Sequence, residues 1–329
     1  MNDKVDILVA TYNGEKYLKE QIDSILNQTY DNIQIIISDD NSIDGTRDIL
    51  KQYEANDKIT VFYQETNLGY VKNFEFLLSK VESELYMLSD QDDIWLPEKV
   101  EKSIEKLKTE NLDLVFGDLE VVDENLNTLY PSFVEYMKIS RKIKNELGSY
   151  KLQYLYNCMT GCTILSKKSF LDKILPLPSN SKYMVHDYWI GLVVSLYGKI
   201  GFLETPYIKY RQHGNNQIGT GKESYKYTKL SQVRNLFIDV KLGIFEAYVQ
   251  NENVFPDNLK TLNSKAFSYY NMLKNKHYFN FRNWNIFYEL YKTEPFLYFI
   301  ENFMVLNMPF FTSIAFNIRY KILKLFGKR

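Results

Sequence analysis

The period of the hydrophobic pattern changes repeatedly over the first half of the chain. Val5–Ala10 is a short apolar run, broken only by Asp6, and it reads as a strand closed by the turn Thr11-Tyr12-Asn13-Gly14. Leu18, Ile22, Ile25 and Leu26 then recur at helical spacing. Ile33–Ile37 predicts a second strand, running into Ser38-Asp39-Asp40-Asn41-Ser42, and Gly45-Thr46 opens a helix reaching about Tyr53. Ile59–Tyr63 predicts a third strand and Phe74–Val81 a helix. Leu85–Leu88 predicts a fourth strand, which ends in Asp90-Gln91-Asp92-Asp93. Pro97 stands where a helix start tolerates it, and Val100, Ile104 and Leu107 give that helix its buried face. Leu112–Phe116 reads as a fifth strand. Strands alternating with helices predict an α/β domain with a mostly parallel central sheet. Ligands of such sheets bind beyond the carboxyl ends of the strands, where these polar, mostly acidic clusters fall.

After Asn215 the strand signals stop. Leu230–Tyr248 and Asn258–Leu273 predict helices. The charge balance changes too: residues 1–214 carry 24 basic and 33 acidic side chains, residues 215–329 carry 16 and 8. The break predicts an α/β domain over 1–215 and a helical extension over 216–329. Phe296–Ile318 is strongly apolar but carries Glu301, Asn302, Asn307, Pro309 and Asn317, too many interruptions for a spanning helix. Arg319, Lys321, Lys324, Lys328 and Arg329 follow it. An aromatic-rich apolar stretch beside a basic cluster suits peripheral attachment to an anionic membrane surface. The same aromatics also suit the core of a helical subdomain or a homodimer contact, and both readings stay open.

Composition narrows the class. A chain of 329 residues buries a sizeable core, and a net charge of −1 argues against a nucleic-acid binder. Two cysteines make neither a disulfide framework nor a four-cysteine zinc site, and Cys158 and Cys162 read as small buried residues. Met1 to Lys4 is polar and the apolar run behind it is strand-length, so the expectation is a cytoplasmic enzyme without a signal peptide. No GxGxxG follows the first strand and no GxxxxGK[ST] occurs, which disfavours a dinucleotide fold and a P-loop.

Four segments could carry chemistry. Asp90, Asp92 and Asp93 place three carboxylates within four residues, and they repel unless a cation compensates. Mg²⁺ typically takes one or two protein carboxylates plus substrate phosphate oxygens; the plainer reading is a solvated turn capping the next helix. Asp39 and Asp40 could accept hydrogen bonds from a nucleobase or a ribose, or merely form a turn before a helix. His186-Asp187-Tyr188-Trp189 offers a general base beside aromatics that could stack on a sugar, or an ordinary acidic helix start. Arg211 and His213, in a polar loop after the strand-like Tyr207–Lys209, suit a diphosphate and its metal. Gly161 permits close backbone approach to a ligand.

Taken in order, Val9-Ala10-Thr11-Tyr12-Asn13-Gly14, Asp39-Asp40-Asn41-Ser42-Ile43-Asp44-Gly45-Thr46, Asn67-Leu68-Gly69 and Asp90-Gln91-Asp92-Asp93-Ile94-Trp95-Leu96-Pro97 resemble the family 2 glycosyltransferases with the GT-A fold. With His-Asp-Tyr-Trp and Arg-Gln-His-Gly later, the chain is most similar to bacterial polysaccharide transferases of the rhamnosyltransferase-like group. The resemblance covers about the first 215 residues. It implies that Thr11, Tyr12 and Asn13 line a nucleotide pocket, that Asp39 meets the base, and that Asp40 supports the ribose side. Asn67 to Asn73, with Lys72, would form the far rim. Asp90 and Asp92 match the metal motif, Asp92 as the direct ligand of Mg²⁺ or Mn²⁺. Gly161 matches a glycine loop near the acceptor, flanked by His186 and Trp189. Asp187 matches the catalytic base, with His186 standing where many relatives have Glu. His213 matches a late histidine that approaches the metal or the diphosphate.

These residues together lead to an expectation of an inverting, metal-dependent transfer. Its donor is a nucleoside-diphosphate sugar, dTDP-rhamnose foremost and a UDP-hexose as the alternative. Its acceptor is a growing bacterial surface polysaccharide held on a lipid carrier. Arg211 and His213 would assist the metal with the leaving diphosphate, and no covalent nucleophile is required. A non-catalytic sugar-nucleotide-binding protein would lack an intact metal motif or base. A nucleotidyltransferase would show a Gly-rich loop with Arg and Lys after the first strand, and Thr11-Tyr12-Asn13-Gly14-Glu15 is not one.

Overall fold

A computed structural model of the chain describes residues 3–136, 149–157, 159–178, 183–213, 230–275 and 284–292. The chain divides into two compact units, one of residues 1–179 and 185–220, the other of residues 180–184 and 221–329. The composition change at 215 falls in a stretch outside the described residues, as do Cys158, the segment 296–318 and the basic cluster 319–329.

The first unit begins β1 Val5–Thr11, α1 Leu18–Leu26, β2 Ile33–Asp39, α2 Thr46–Lys51, β3 Ile59–Tyr63, α3 Tyr70–Ser79 and β4 Leu85–Ser89. It continues β5 Ile94–Trp95, α4 Lys99–Thr109, β6 Leu114–Gly117, β7 Glu120–Val122, β8 Thr128–Tyr130, α5 Phe133–Tyr136 and α6 Tyr150–Leu155. β9 Leu165–Lys167, α7 Leu171–Ile174, α8 His186–Tyr197, β10 Ile200–Leu203 and β11 Ile208–Arg211 complete it. The main sheet has the order β10-β6-β9-β4-β1-β2-β3. Its pairs are parallel except those that β9 makes with β4 and β6. The inner strands are apolar on both faces because helices cover both: Val5, Ile7, Leu8, Val9, Ile35 and Ile37 are buried, as are Leu18, Ile22 and Ile25 of α1 and Val100, Ile104 and Leu107 of α4.

Two departures from simple βα alternation build the site. The antiparallel β9 enters between β4 and β6 through a tight turn at Gly161–Thr163, where Leu88 N donates to Ile164 O. Gly161 thereby reaches the carboxyl end of β4. A second sheet of order β5-β11-β7-β8 pairs Ile208 with Trp95 and Lys209 with Ile94, which carries Arg211 to the loop that follows β4.

The described part of the second unit is helical: α9 Leu230–Gln250, α10 Asp257–Lys274 and α11 Trp284–Tyr291. Phe245 stacks on Tyr270 with ring centroids 5.6 Å apart, and the buried hydroxyls of Tyr270 and Tyr291 bond to each other. The aromatics of this part form a core. Among the described residues no helix is long and apolar enough to cross a membrane.

Candidate active site

A cavity of about 960 Å³ opens where the carboxyl ends of β1, β2 and β4 converge. Thr11, Tyr12 and Asn13 line it, and their loop is sewn to the next by Gln91. Thr11 Oγ1 and Tyr12 N both donate to Gln91 Oε1, at 2.7 and 2.9 Å, and Gln91 Nε2 donates back to Tyr12 O at 3.1 Å. Asn13 has φ +49°, a left-handed conformation that asparagine tolerates, and its Oδ1 accepts from Ile43 N. Asp40 turns both carboxylate oxygens to backbone, accepting from Leu68 N at 2.6 Å and Gly69 N at 2.9 Å. Gly69 itself has φ +80°. Asn67 completes the clasp, donating to Asp40 O.

Two donor-side expectations change here. Asp39 is fully buried behind the cavity wall and does not line it. Its Oδ2 accepts from Arg47 Nε at 2.7 Å and from Ser42 N, while Oδ1 has no hydrogen-bond partner. Lys72 also stays off the lining, because its ammonium turns along α3 to Glu75, 2.7 Å away.

The acidic loop presents Asp90 and Asp92 to the cavity and buries Asp93 beneath it. Burial, then the charges of Asp92 and Asp187, push the Asp90 carboxyl up to about 7. Asp92 Oδ2 accepts from His213 Nε2 at 2.8 Å. Asp93 Oδ1 accepts from Arg211 N, and burial foremost pushes this carboxyl up as well. Below the loop Lys99 is buried, its Nζ 3.1 Å from the centroid of the Trp95 ring and without a hydrogen bond; burial pushes its ammonium well down.

The donor set suits a hard cation. Among the described residues, the ligand atoms of Asp90, Asp93 and Cys162 lie within 4.8 Å of one another. Burial keeps the Cys162 thiol protonated and Asp93 lies below the surface, which leaves Asp90 and Asp92 as the carboxylates of this loop that would meet a cation in the cavity. Arg211, expected at the diphosphate, is a correction. It is buried, off the lining, and spends its guanidinium on Asp92 O, Glu124 O and the Glu20 carboxylate while covering the Tyr17 ring at 4.4 Å. Tyr17 in turn lies against the His213 ring, with centroids 4.8 Å apart. Arg211 therefore ties the acidic loop to its neighbours from outside the cavity lining.

Across the cavity, Asp187 stands in the first turn of α8. Oδ1 accepts from Asn157 Nδ2 at 3.1 Å and Tyr188 N at 2.6 Å, and Oδ2 accepts from Gly161 N at 3.0 Å. Burial lifts the carboxyl to about 6, with these hydrogen bonds pulling the other way. A Cβ on Gly161 would stand 2.9 Å from His186 Nε2 and 3.4 Å from Asp187 Cβ, so only glycine admits both side chains so close. Trp189 is the correction on this side. Its indole is buried and donates to Ile174 O at 2.9 Å, and neither it nor Tyr188 lines the cavity. The aromatics that do line this side are Tyr70 and Phe74 of α3.

Residues 6–175 match the model of glycosyl transferase family 2. The chain belongs to that family. It is 33% identical over 218 residues to an uncharacterized glycosyltransferase of Rickettsia typhi, a match spanning 66% of each chain. It is 30% identical over 243 residues to the dTDP-rhamnosyl transferase RfbG of Shigella flexneri, spanning 69% of this chain and 79% of RfbG. S. aureus TarS, solved with UDP-GlcNAc, superposes with a TM-score of 0.55 at 16% identity, covering 95% of this chain and 88% of that one, and the fold is GT-A. Within this family 2 domain, Thr11, Tyr12, Asn13, Asp40, Asn67, Asp90, Asp92, Gly161, His186, Asp187 and His213 share one cavity, whereas Asp39, Lys72, Trp189 and Arg211 stand outside it. Gln91, Asn157, Tyr17 and Arg47 went unread in the sequence. Their neighbours Asp90, Gly161 and Asp39 carried the only local signal.

Proposed function

We propose that the chain transfers a sugar from a nucleoside-diphosphate donor to a hydroxyl acceptor, with inversion at the anomeric carbon and with Mg²⁺ or Mn²⁺. The observation that carries this reading is one cavity lined by the neighbouring carboxylates Asp90 and Asp92 and, across from them, by a buried, backbone-held carboxylate, Asp187. The cation, when bound, neutralises charge on the departing diphosphate. Asp90 and Asp92 hold it, and His213 orients Asp92. Asp187 Oδ1 has two donors and Oδ2 only one, so Oδ2 keeps room for a substrate hydroxyl and takes its proton. A carboxyl near 6 is ionised at neutral pH yet basic enough to accept that proton.

The similarity to RfbG supports dTDP-rhamnose as donor, and the fold shared with TarS, solved with UDP-GlcNAc, supports a UDP-hexose as the second reading. A growing, lipid-linked surface polysaccharide is the acceptor we favour, which would place the enzyme in the cytoplasm against the inner leaflet. The test is a donor panel of dTDP-rhamnose, UDP-GlcNAc and UDP-glucose with simple glycoside acceptors. Nucleoside diphosphate release is followed with Mn²⁺ and with EDTA, and the product anomer is read by NMR. Metal-dependent release with an inverted product is expected; a retained anomer or undiminished release in EDTA refutes the reading.

A further inference from the structure

His186 is the one side chain of the cavity lining that buries two ring nitrogens, and neither Nδ1 nor Nε2 has a hydrogen-bond partner. The residue is 8% exposed. It stacks on Phe74 with centroids 4.0 Å apart and planes at 19°, and the Tyr70 ring meets it edge-on at 6.2 Å. Gly161 is the glycine that lets Nε2 approach the backbone of the turn, so the ring's place is built by two separate elements. A buried polar group normally finds a partner, and one left without it marks a place where something else supplies the partner. Burial holds the imidazole neutral, with its pKa pushed down to about 3. A neutral imidazole offers one N–H donor and one acceptor nitrogen, the same pair that a sugar hydroxyl requires of its host.

Building on the transferase reading above, we propose that His186 is a substrate-binding residue that hydrogen-bonds a sugar-ring hydroxyl next to Asp187 and thereby selects which sugar is turned over. The hydroxyl can belong to the donor sugar or to the acceptor. The Tyr70 ring, partly exposed beside the imidazole, would meet the ring carbons of the same sugar, as aromatic walls do in sugar sites. A substrate that lacks the hydroxyl leaves the imidazole unsatisfied, which is how a polar pocket rejects an analogue.

The test compares the wild-type full chain with His186→Phe, which keeps the stack on Phe74 without nitrogens, and His186→Gln, which restores a donor and an acceptor. His186→Leu is the second apolar variant, for use where His186→Phe fails to fold. Binding of dTDP and UDP with Mn²⁺ is measured by calorimetry and should match wild type within about twofold, because His186 is assigned to a sugar and the nucleotide to the opposite side of the cavity. If the hydroxyl is the donor's, the apolar variants lose about tenfold in affinity for dTDP-rhamnose or UDP-GlcNAc relative to the bare nucleotide, as expected for one lost hydrogen bond. If it is the acceptor's, donor affinity and donor hydrolysis hold, and the acceptor KM rises by about the same factor with octyl glycosides as probes. His186→Gln should recover much of either loss. Apolar variants that fold and match wild type in donor affinity and acceptor KM overturn the assignment of His186 alone. A wild-type chain that turns over no sugar nucleotide overturns the transferase reading, and this inference with it.

Discussion

The two sides of the cavity are built on opposite rules. On the side of β1, β2 and the acidic loop, most of the polar side chains that line the cavity are tied to one another or to backbone. Thr11 is bonded to Gln91, Asp40 to Leu68 and Gly69, and Asp92 to His213. On the side of α8 one is not. Asp187 is held by Asn157, Tyr188 N and Gly161 N, with Oδ2 taking a single donor, but His186 has no partner for either nitrogen. Leaving a buried polar group unpartnered costs roughly 1–3 kcal/mol. The contrast teaches what each side is for. A pre-bonded surface fixes the geometry of a bound nucleotide and loses little order on binding. An under-bonded one reserves its hydrogen-bonding capacity for groups that arrive with the reaction.

The sharpest way to break this contrast is Asp187→Asn. It keeps the shape of the α8 side and removes the proton acceptor, so transfer should fall about 10²–10⁴-fold while the protein stays folded, as followed by nucleotide release and thermal melting. Wild-type turnover would reduce Asp187 to a helix-start carboxylate. Arg211→Met attacks the other side. Losing its bonds to Asp92 O, Glu124 O and Glu20 should cost roughly 2 kcal/mol, the scale of a charge-assisted hydrogen bond, and should raise the Mn²⁺ concentration needed for half-maximal activity. Unchanged melting and metal titration would mean that Arg211 does not hold the acidic loop.

The pH profile sharpens the contrast with a smaller effect. Asp187 works only ionised. Below about 6 the protonated fraction grows, so kcat/KM should drop at least about tenfold per pH unit there. A profile that stays flat down to pH 5 contradicts the base assignment. The smallest effects belong to residues that the structure removes from the cavity. Lys72→Ala should change donor KM less than about twofold, since its ammonium serves an exposed pair with Glu75. Trp189→Phe should lower stability by about 1 kcal/mol through the bond lost to Ile174 O, with kcat/KM unchanged.

Much of the first unit was legible because its strands are buried on both faces and therefore read as plain apolar runs. Ile59–Tyr63 matches β3 end for end, and Val5–Ala10 and Leu85–Leu88 each fall one residue short. Strands of two or three residues carry no period, so β5, β7, β8 and β9 were invisible, and with them all of the second sheet but β11. That gap explains the misplacing of Arg211. It stands two positions from His213, and only the pairing of β11 with β5 and β7 decides which of the two is buried. Trp189 and Lys72 show the same limit on helices. An aromatic beside an acid looks like a sugar shelf until the helix proves buried around its first three turns, and a lysine near a pocket rim looks available until its i+3 glutamate takes it. The Asp90–Asp93 cluster stood out because crowded carboxylates repel one another, whereas Asp39 and Asp40 are held inside the fold by Arg47 and by backbone N–H groups that only the tertiary structure brings to them.

Nucleotide affinity compared in Asp92→Ala and Asp187→Asn tests the division of the cavity most directly. With UDP or dTDP and Mn²⁺ in calorimetry, Asp92→Ala should lose binding by an order of magnitude or more, about what one metal-bridged ion contact provides, and Asp187→Asn should bind as wild type does. Equal affinity in the two variants, whether both lose it or both keep it, would contradict the assignment of one side to the nucleotide and its metal and the other to the transfer step.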